Sequence, residues 1–449
     1  MASAFSSAMA RRPQHGKIVS RRTNGCYQSC AAESVFSRLK LHGNTTWKPL
    51  QLAHSGMIMA WGKESNLIER WEAAKDFLKL ERKHWKLGSS YDGWVSAQIR
   101  EAPRIMPLII LRLRKLMLEL PPRQPANRWN AFAVDGSQIA CPRTAANQKA
   151  MGDVGKPNGI PQMSLTSMLH LGTGLPWDFR VGPGADSERA HLRDMLDELP
   201  ESSLLVADAG FVGYELCRDL IARKQHFLLR IGGNVHLLNQ LGYDYEVDGQ
   251  TVYLWPTEQQ NKNQPPIRLR LIVVKDENKL PVYLVVSVLD PDELSDEEAS
   301  GTYRQRWGIE VQYRTTKQTM QHHTMRSRTP ETCYLEMKWA FLGVWLLQLM
   351  TARAIAADGD NPQRASTAQA RNTVRRVMRG GTPIPRSRKG FRRVLAQCLI
   401  DDYERLRPKS SRQYPRKKRH KPPDPPKIKP PTHIQLHKAK QLAPLVILI

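Results

Sequence analysis

The stretch Ala131-Phe132-Ala133-Val134-Asp135-Gly136-Ser137 is the part of the sequence that most directly predicts the fold. A short apolar run that ends in Asp-Gly is typical of a buried β-strand followed by a turn. The same arrangement recurs at Leu204-Leu205-Val206-Ala207-Asp208-Ala209-Gly210. Two apolar runs that each end in an aspartate predict buried strands of one mixed α/β core, with Asp135 and Asp208 at the strand ends.

The sequence on either side of these runs predicts the rest of that core. Apolar runs with turn residues between them predict further strands, and amphipathic stretches with polar N-caps predict helices. The predicted strands are 164–171, 177–181 and 227–231, and the predicted helices are 188–199 and 212–224. Residues 232–291 hold three more strand-like runs with Asp-Gly and Pro-Pro turns, and we predict a β-rich insertion there.

Asp135 and Asp208 need an explanation beyond the turns, because an ionised carboxylate beside an apolar core is costly unless a cation accompanies it. A metal ion would be such a cation. The alternative is that each aspartate is only a turn residue, since Asp-Gly and Asp-Ala-Gly are common turn sequences. Each motif taken alone favours the turn.

A third stretch, 303–317, brings an acidic and several phosphate-binding residue types together. In it Tyr303, Arg306, Glu310 and Lys317 are spaced at 0, 3, 7 and 14 residues. At about 100° per residue, these positions lie on one face of a single α-helix. The alternative is an exposed helix with an ordinary Arg306–Glu310 pair, worth a few tenths of a kcal/mol.

The spacing Tyr-x2-Arg-x3-Glu-x6-Lys resembles the signature of cut-and-paste DDE transposases encoded by bacterial insertion sequences. Val134–Ser137 with Thr144–Asn147, and Val206–Phe211, are similar to the blocks around that family's two aspartates. The resemblance extends over about residues 130–350. It implies a ribonuclease H-like mixed-sheet catalytic core with a β-rich insertion between the second and third acids.

The resemblance also implies roles for six residues. Asp135, Asp208 and Glu310 would be the catalytic acids and the ligands of two Mg²⁺ or Mn²⁺ ions, which favour hard oxygen donors. Tyr303, Arg306 and Lys317 would contact DNA phosphates, Arg306 through two parallel hydrogen bonds. The implied partners are transposon-end and target DNA, bound by a homodimer. A nuclease without strand transfer and an inactive DNA-binding relic are the alternatives.

Charge points to the same kind of partner. The chain has 449 residues and a formal net charge of +26. Residues 361–449 contain 23 Lys plus Arg and 4 Asp plus Glu, so 23 minus 4, or +19, lies in this segment. Basic runs of this kind contact phosphates without reading bases. A solvated tail that only maintains solubility is the alternative.

Composition predicts five regions. They are a poorly ordered segment (1–55), a helical region that either binds DNA ends or caps the core (56–125), the catalytic domain (126–350), a basic helical region (351–407) and a Pro-rich basic tail in extended geometry (408–449). The apolar stretch 339–349 is short for a bilayer span and predicts a buried helix. With no secretory signal and no CxxC pair, we expect a cytoplasmic, nucleoid-associated protein with no membrane partner.

A tryptophan and a pair of histidines could each be either functional or structural. Trp255 would be a half-buried strand residue or a platform for an unpaired base, and burial is favoured. His322 and His323 resemble metal ligands, but hard-metal chemistry does not require them.

Overall fold

The computed structural model describes residues 33–39, 45–121, 129–152, 159–275, 280–379, 388–401 and 424–446. In chain order, its strands are β1 (Asn130–Ala140), β2 (Gln162–His170), β3 (Leu175–Pro183), β4 (Ser203–Ala207), β5 (His226–Ile231), β6 (His236–Leu238), β7 (Thr251–Leu254), β8 (Ile267–Lys275), β9 (Pro281–Val286) and β10 (Lys427–Lys429). The α-helices are α1 (Pro49–Met59), α2 (Leu67–Glu81), α3 (Tyr91–Met117), α4 (Ala145–Met151), α5 (Glu188–Arg193), α6 (Tyr214–Ala222), α7 (Thr257–Asn261), α8 (Asp296–Gln305), α9 (Trp307–Arg314), α10 (Pro330–Ala357), α11 (Thr367–Met378), α12 (Arg388–Ala396) and α13 (His433–Leu442).

In the described part of the chain, ten strands form one mixed sheet in the order β10-β6-β7-β8-β9-β5-β4-β1-β2-β3. Strands β1, β2 and β3 pair antiparallel, whereas β4 and β5 extend the sheet parallel to β1. The mixed α/β sheet fits the ribonuclease H-like core that the resemblance implies. Strand β9 pairs antiparallel with β5, so the strands between 232 and 291 continue the same sheet.

The strand of Asp135 is longer than predicted. The expected turn at Asp135-Gly136 is wrong, because β1 continues to Ala140 and pairs with β2 along this whole length. Its parallel pairing with β4, however, ends at Ala133↔Val206. Asp135 therefore lies where β1 has separated from β4 while it is still held by β2.

The core on one side of the sheet is built around α10, which is longer than the apolar stretch 339–349 that predicted it. Its 28 residues make it the one helix in the described ranges that is long and apolar enough to cross a membrane, and 78% of its most apolar window is buried inside the protein. Trp339, Phe341 and Trp345 are each at most 3% exposed, which confirms the prediction that they belong to the core.

The N-terminal helices pack closely on α10. The backbone at Gly56 lies against the Trp339 ring, where an added Cβ would come within 2.5 Å of a ring carbon. The Trp61 indole donates a hydrogen bond to the Gly343 carbonyl at 2.8 Å. Because α1 is buried in this interface, the predicted end of a poorly ordered segment at residue 55 is wrong: the boundary falls inside a helix.

Residues 424–446 of the predicted C-terminal tail form regular structure, against prediction. The basic run 416–421 of this tail lies outside the described residues, but Lys427–Lys429 form β10, which pairs in parallel with β6 at the edge of the sheet. Helix α13 follows, capped by Thr432, and the Tyr243 hydroxyl donates to the Ala439 carbonyl at 2.9 Å. The proline-rich run ends at Pro431, so a helix can begin directly after it.

The stretch 303–317 is not one regular helix. Helix α8 ends at Gln305, α9 begins at Trp307, and Thr315–Thr319 form a π-helical turn. The predicted single stripe at 100° per residue is therefore wrong for Lys317, since a π turn rotates the chain differently. The structure still brings Lys317 to the site, by the route described below.

Candidate active site

The two aspartates come together through strand register. β1 and β4 pair with a constant offset that ends at Ala133↔Val206, and Asp135 and Asp208 each lie two residues further on. Both therefore lie where the two parallel strands diverge, Asp135 within β1 and Asp208 directly after β4. The Asp208 side chain accepts a hydrogen bond from the Gly210 backbone at 2.9 Å and caps a short 3-10 turn.

Asp135 is in an unfavourable place for a lone negative charge. Its side chain is 21% exposed, and Oδ1 accepts a hydrogen bond from the Gly136 backbone at 2.8 Å. Burial raises the pKa of Asp135 from 3.8 to about 6; Gly136 and Arg306 oppose this rise, and the nearby carboxylates of Asp208 and Glu310 add to it. Burial is thus the largest cause, and the site favours any cation that can reach this carboxylate.

Arg306 supplies part of that positive charge. Its Nη2 donates to Glu310 Oε1 at 2.9 Å, and its Nη1 lies 3.6 Å from Asp135 Oδ2. One guanidinium thus bridges the first and third predicted acids. Because the Arg306 side chain is 12% exposed, this pair is shielded from solvent far more than an ordinary i,i+4 pair on a helix surface.

Tyr303 and Lys317, the other two predicted DNA contacts, lie at the same site. The Arg306 guanidinium is 5.7 Å from the Tyr303 ring centroid, within cation–π range. Lys317 Nζ donates to Ser137 Oγ at 2.7 Å, so the lysine reaches β1 two residues beyond Asp135. Burial lowers the pKa of Lys317. The structure therefore brings all six predicted residues together, and their contacts with DNA stay predictions.

A fourth carboxylate at the site was not predicted. Glu188, the first residue of α5, lies against the backbone of Gly136, where an added Cβ would be 1.9 Å from Glu188 Oε1. Burial raises the pKa of Glu188, and the charges of Asp135 and Asp208 raise it further. The sequence marked Glu188 only as a helix start; its approach to the acids depends on how α5 packs on β1 and β2.

Tyr313 was also missed. It is 5% exposed, and its hydroxyl donates to the Asp135 backbone carbonyl at 2.6 Å. The same hydroxyl accepts hydrogen bonds from the backbone nitrogen and Oγ of Ser167, at 3.0 and 2.9 Å. A tyrosine three residues after Glu310 gives no signal in the sequence, because an apolar helix position and a buried phenol contact look alike.

Other residues that invited a functional interpretation are structural. Trp255 is 3% exposed and its indole donates to the Gln264 carbonyl at 2.8 Å, so it is not available to stack on a base. His322 is 1% exposed, and its Nε2 lies 3.0 Å from the Ala60 carbonyl.

The acids fit a hard divalent cation by their chemistry. All of them are oxygen donors. Gly136 has no Cβ, which leaves space for the Glu188 carboxylate beside the backbone of β1. Asp135 is partly buried, and Arg306 compensates its charge only in part. Within the described ranges, no three His, Cys, Asp or Glu side chains stand close enough together to hold a metal as they are. Arg306 bridges two of the acids, so it would have to withdraw before they could share a cation.

Hard oxygen donors on diverging parallel strands of a mixed α/β sheet, beside a helix with Arg and Glu, are an arrangement that carboxylate-dependent phosphoryl-transfer enzymes use to hold divalent cations. Residues 130–346 match the model of a family described as the transposase DDE domain. All six predicted site residues fall inside the matched range. Over this range the chain is therefore similar to the DDE domain of transposases.

Two curated relatives are transposases. The chain is 26% identical over 261 residues, 55% of its length, to the transposase InsG for insertion sequence element IS4 of Escherichia coli K12. It is 21% identical over 196 residues, 43% of its length, to a putative transposase for insertion sequence element IS4SA of Synechocystis. The matched segments span 58% and 54% of those two proteins.

Similarity to solved structures is weaker. A piggyBac transposase synaptic complex with hairpin DNA has a TM-score of 0.42 and 13% sequence identity, with 84% of this chain and 85% of that chain covered. A Mos1 transposase paired-end complex has a TM-score of 0.17 and 13% identity, covering 42% and 61%. These scores are too low to establish a shared fold.

Proposed function

We propose that the protein is a DNA transposase of the Tyr-Arg-Glu-Lys type, which excises an insertion sequence at its terminal inverted repeats and joins it to target DNA by cut-and-paste. The observation that carries this proposal is the shared register of Asp135 and Asp208 beside the Arg306–Glu310 pair. The match of residues 130–346 to the transposase DDE domain supports it independently.

In this proposal Asp135, Asp208 and Glu310 hold the divalent cations. When bound, two Mg²⁺ or Mn²⁺ ions stabilise the charge on the attacking and leaving oxygens during phosphodiester hydrolysis and transesterification. Partial burial and the neighbouring carboxylates make a cation beside Asp135 favourable, because Arg306 compensates the charge of this acid only in part. Glu188 adds negative charge to the same region.

Tyr303 and Arg306 bind the phosphate near the cleaved end, and Lys317 contacts the DNA backbone one or two turns further on. Arg306 is already within reach of two acids, and its planar fork can exchange a carboxylate for a phosphate with similar geometry. Lys317 provides one point charge from beside Ser137. These groups orient the scissile phosphate over the acids and keep it in a partly desolvated place.

The partners we propose are transposon-end DNA and target DNA, bound by a homodimer that holds two ends together. The net charge of +26 supports a polyanionic partner. The helices α1 to α3 would contribute to binding DNA ends in addition to packing on α10. We further propose that the protein acts in the cytoplasm, associated with the nucleoid.

The test is a Mg²⁺-dependent cleavage and joining assay on DNA with the element's own ends. Wild type is compared with Asp135→Ala, Asp208→Ala and Glu310→Ala, and Glu331→Ala on the first turn of α10 is the control for loss of an acidic side chain away from the site. DNA binding is measured in parallel, since the three active-site variants should still bind.

Each outcome has a separate meaning. Cutting and joining by wild type and the control, with neither by the three variants, supports the proposal. Cutting without any joined product would instead identify a nuclease. DNA binding by wild type without Mg²⁺-dependent cutting would identify an inactive relic and refute the active-site assignment.

A further inference from the structure

The contact between α9 and β1 contains a buried hydroxyl that none of the six predicted residues supplies. Helix α9 carries Glu310, and β1 carries Asp135, so the distance between these two acids depends on how the helix is fixed to the strand. Tyr313 lies three residues after Glu310 and therefore on nearly the same face of α9. Its phenol extends from that face to β1 and β2.

The hydrogen-bonding capacity of the Tyr313 hydroxyl is fully used. A phenol has one proton to donate and two lone pairs with which to accept. The proton is directed to the Asp135 carbonyl at 2.6 Å, the shorter of two possible acceptors, since the Leu165 carbonyl is 3.2 Å away. The lone pairs accept from Ser167 N and Ser167 Oγ.

The hydroxyl contacts both strands at one register position. Asp135 and Ser167 are partners in the β1–β2 pairing. Tyr313 is thus hydrogen-bonded to the backbone of a predicted catalytic acid and to its partner on the next strand. A tyrosine phenol is protonated at neutral pH, so the Tyr313 hydroxyl can donate this hydrogen bond.

We propose that Tyr313 is a positioning residue, whose hydroxyl fixes α9 to β1 and thereby sets the spacing of Glu310 and Asp135 for divalent-cation binding. This inference rests on the proposed function, because it assigns a task in the same reaction. Tyr313 contacts the backbone carbonyl of Asp135 and not its carboxylate, so it acts through the backbone of that acid. Removing its hydroxyl leaves the Asp135 carbonyl and the Ser167 backbone N–H with one hydrogen-bond partner fewer. Helix α9 can then shift relative to β1.

The experiment compares Tyr313→Phe with a matched control, Tyr214→Phe. Tyr214 is 4% exposed, and its hydroxyl donates to the Pro265 carbonyl at 2.5 Å, away from the acids. Each variant loses one buried hydroxyl and keeps its ring. Mn²⁺ binding is measured by electron paramagnetic resonance on the complex with uncleavable end DNA, and cleavage of cleavable ends is measured against Mn²⁺ concentration.

We expect Tyr313→Phe to raise the Mn²⁺ concentration at half saturation by about tenfold, the lower end of what the loss of an outer-shell hydrogen bond costs a metal site. Saturating Mn²⁺ should restore most of its cleavage rate, because the acids themselves are intact. Tyr214→Phe should also lower the melting temperature, because it loses a buried hydrogen bond, and should leave the Mn²⁺ requirement unchanged.

Equal Mn²⁺ requirements for both variants and wild type, with wild type active, would overturn the positioning role and leave the proposed function standing. A Tyr313→Phe protein whose cleavage stays low at saturating Mn²⁺ would also overturn it, since spacing alone would then not explain the loss. If wild type neither binds Mn²⁺ on DNA nor cleaves, the proposed function fails and this inference fails with it.

Discussion

Replacing Asp135 by asparagine should make the protein more stable in the absence of divalent cations, although it removes a predicted catalytic acid. Burial raises the pKa of Asp135 from 3.8 to about 6, so the folded protein holds this proton more tightly than the unfolded chain. A raised carboxyl pKa contributes stability that is fully present below about pH 4 and is lost as pH rises through about 6. Asparagine resembles the protonated acid and avoids this loss.

The magnitude follows from the size of the pKa change. A difference between 3.8 and about 6, at about 1.4 kcal/mol per pH unit, corresponds to about 3 kcal/mol at neutral pH. The Asp135 side chain is 21% exposed, so solvent screening reduces this value only in part. If the chain of 449 residues unfolds as one unit, with about 2 cal/mol/K of unfolding entropy per residue, the gain in melting temperature is about 3 °C.

The measurement is thermal unfolding of wild type and Asp135→Asn from pH 3.5 to 8 in the presence of a chelator. The two melting temperatures should agree at low pH, diverge between about pH 4 and 6, and stay separated above pH 7. Adding Mg²⁺ with end DNA should stabilise wild type more than the variant, because cation binding to the folded state adds to its stability. An asparagine variant that is less stable than wild type at pH 7 would refute the reasoning.

Three further outcomes are expected. Arg306→Lys should reduce strand transfer strongly with little loss of stability, because a lysine cannot bind a phosphate through two parallel hydrogen bonds; unchanged strand transfer at ~0.15 M salt would contradict its role. Gly136→Ala should raise the Mg²⁺ requirement for cleavage, because the added Cβ would lie 1.9 Å from Glu188 Oε1 and would displace that carboxylate. An unchanged Mg²⁺ titration would disprove this. Burial lowers the pKa of His322 from 6.5 to about 3, so stability should fall as pH decreases below 6.5, and His322→Gln should flatten that dependence in urea unfolding.

The sequence predicted the strand-borne acids because their signal is local. An apolar run followed by aspartate identifies a buried strand and the acid that it carries, and two such strands in parallel place their acids close together. The sequence could not show that β1 continues past Asp135, because that continuation is held by pairing with β2 across the sheet. Strand pairing between distant segments overrides the local turn signal of Asp-Gly.

Glu188 and Tyr313 were out of reach for a related reason. Each lies on a helix whose periodicity was readable, but its role depends on which atom of another element it meets. The signature at Tyr303 to Lys317 was found by spacing, yet the regular helix assumed for it is interrupted at Arg306 and again by a π-helical turn. Sequence spacing identified the residues of the site, and tertiary packing determined how they approach one another.

Charge balance connects the predicted acids with the predicted phosphate contacts. Four carboxylates, those of Asp135, Asp208, Glu188 and Glu310, influence one another at the site. In the described part of the chain, Arg306 contacts two of these carboxylates, those of Asp135 and Glu310. Lys317 instead donates to the Ser137 hydroxyl. A phosphate that draws Arg306 away would leave Asp135 and Glu310 without their shared counter-ion. The acids would then attract divalent cations more strongly, so DNA binding and cation binding should favour each other at this site.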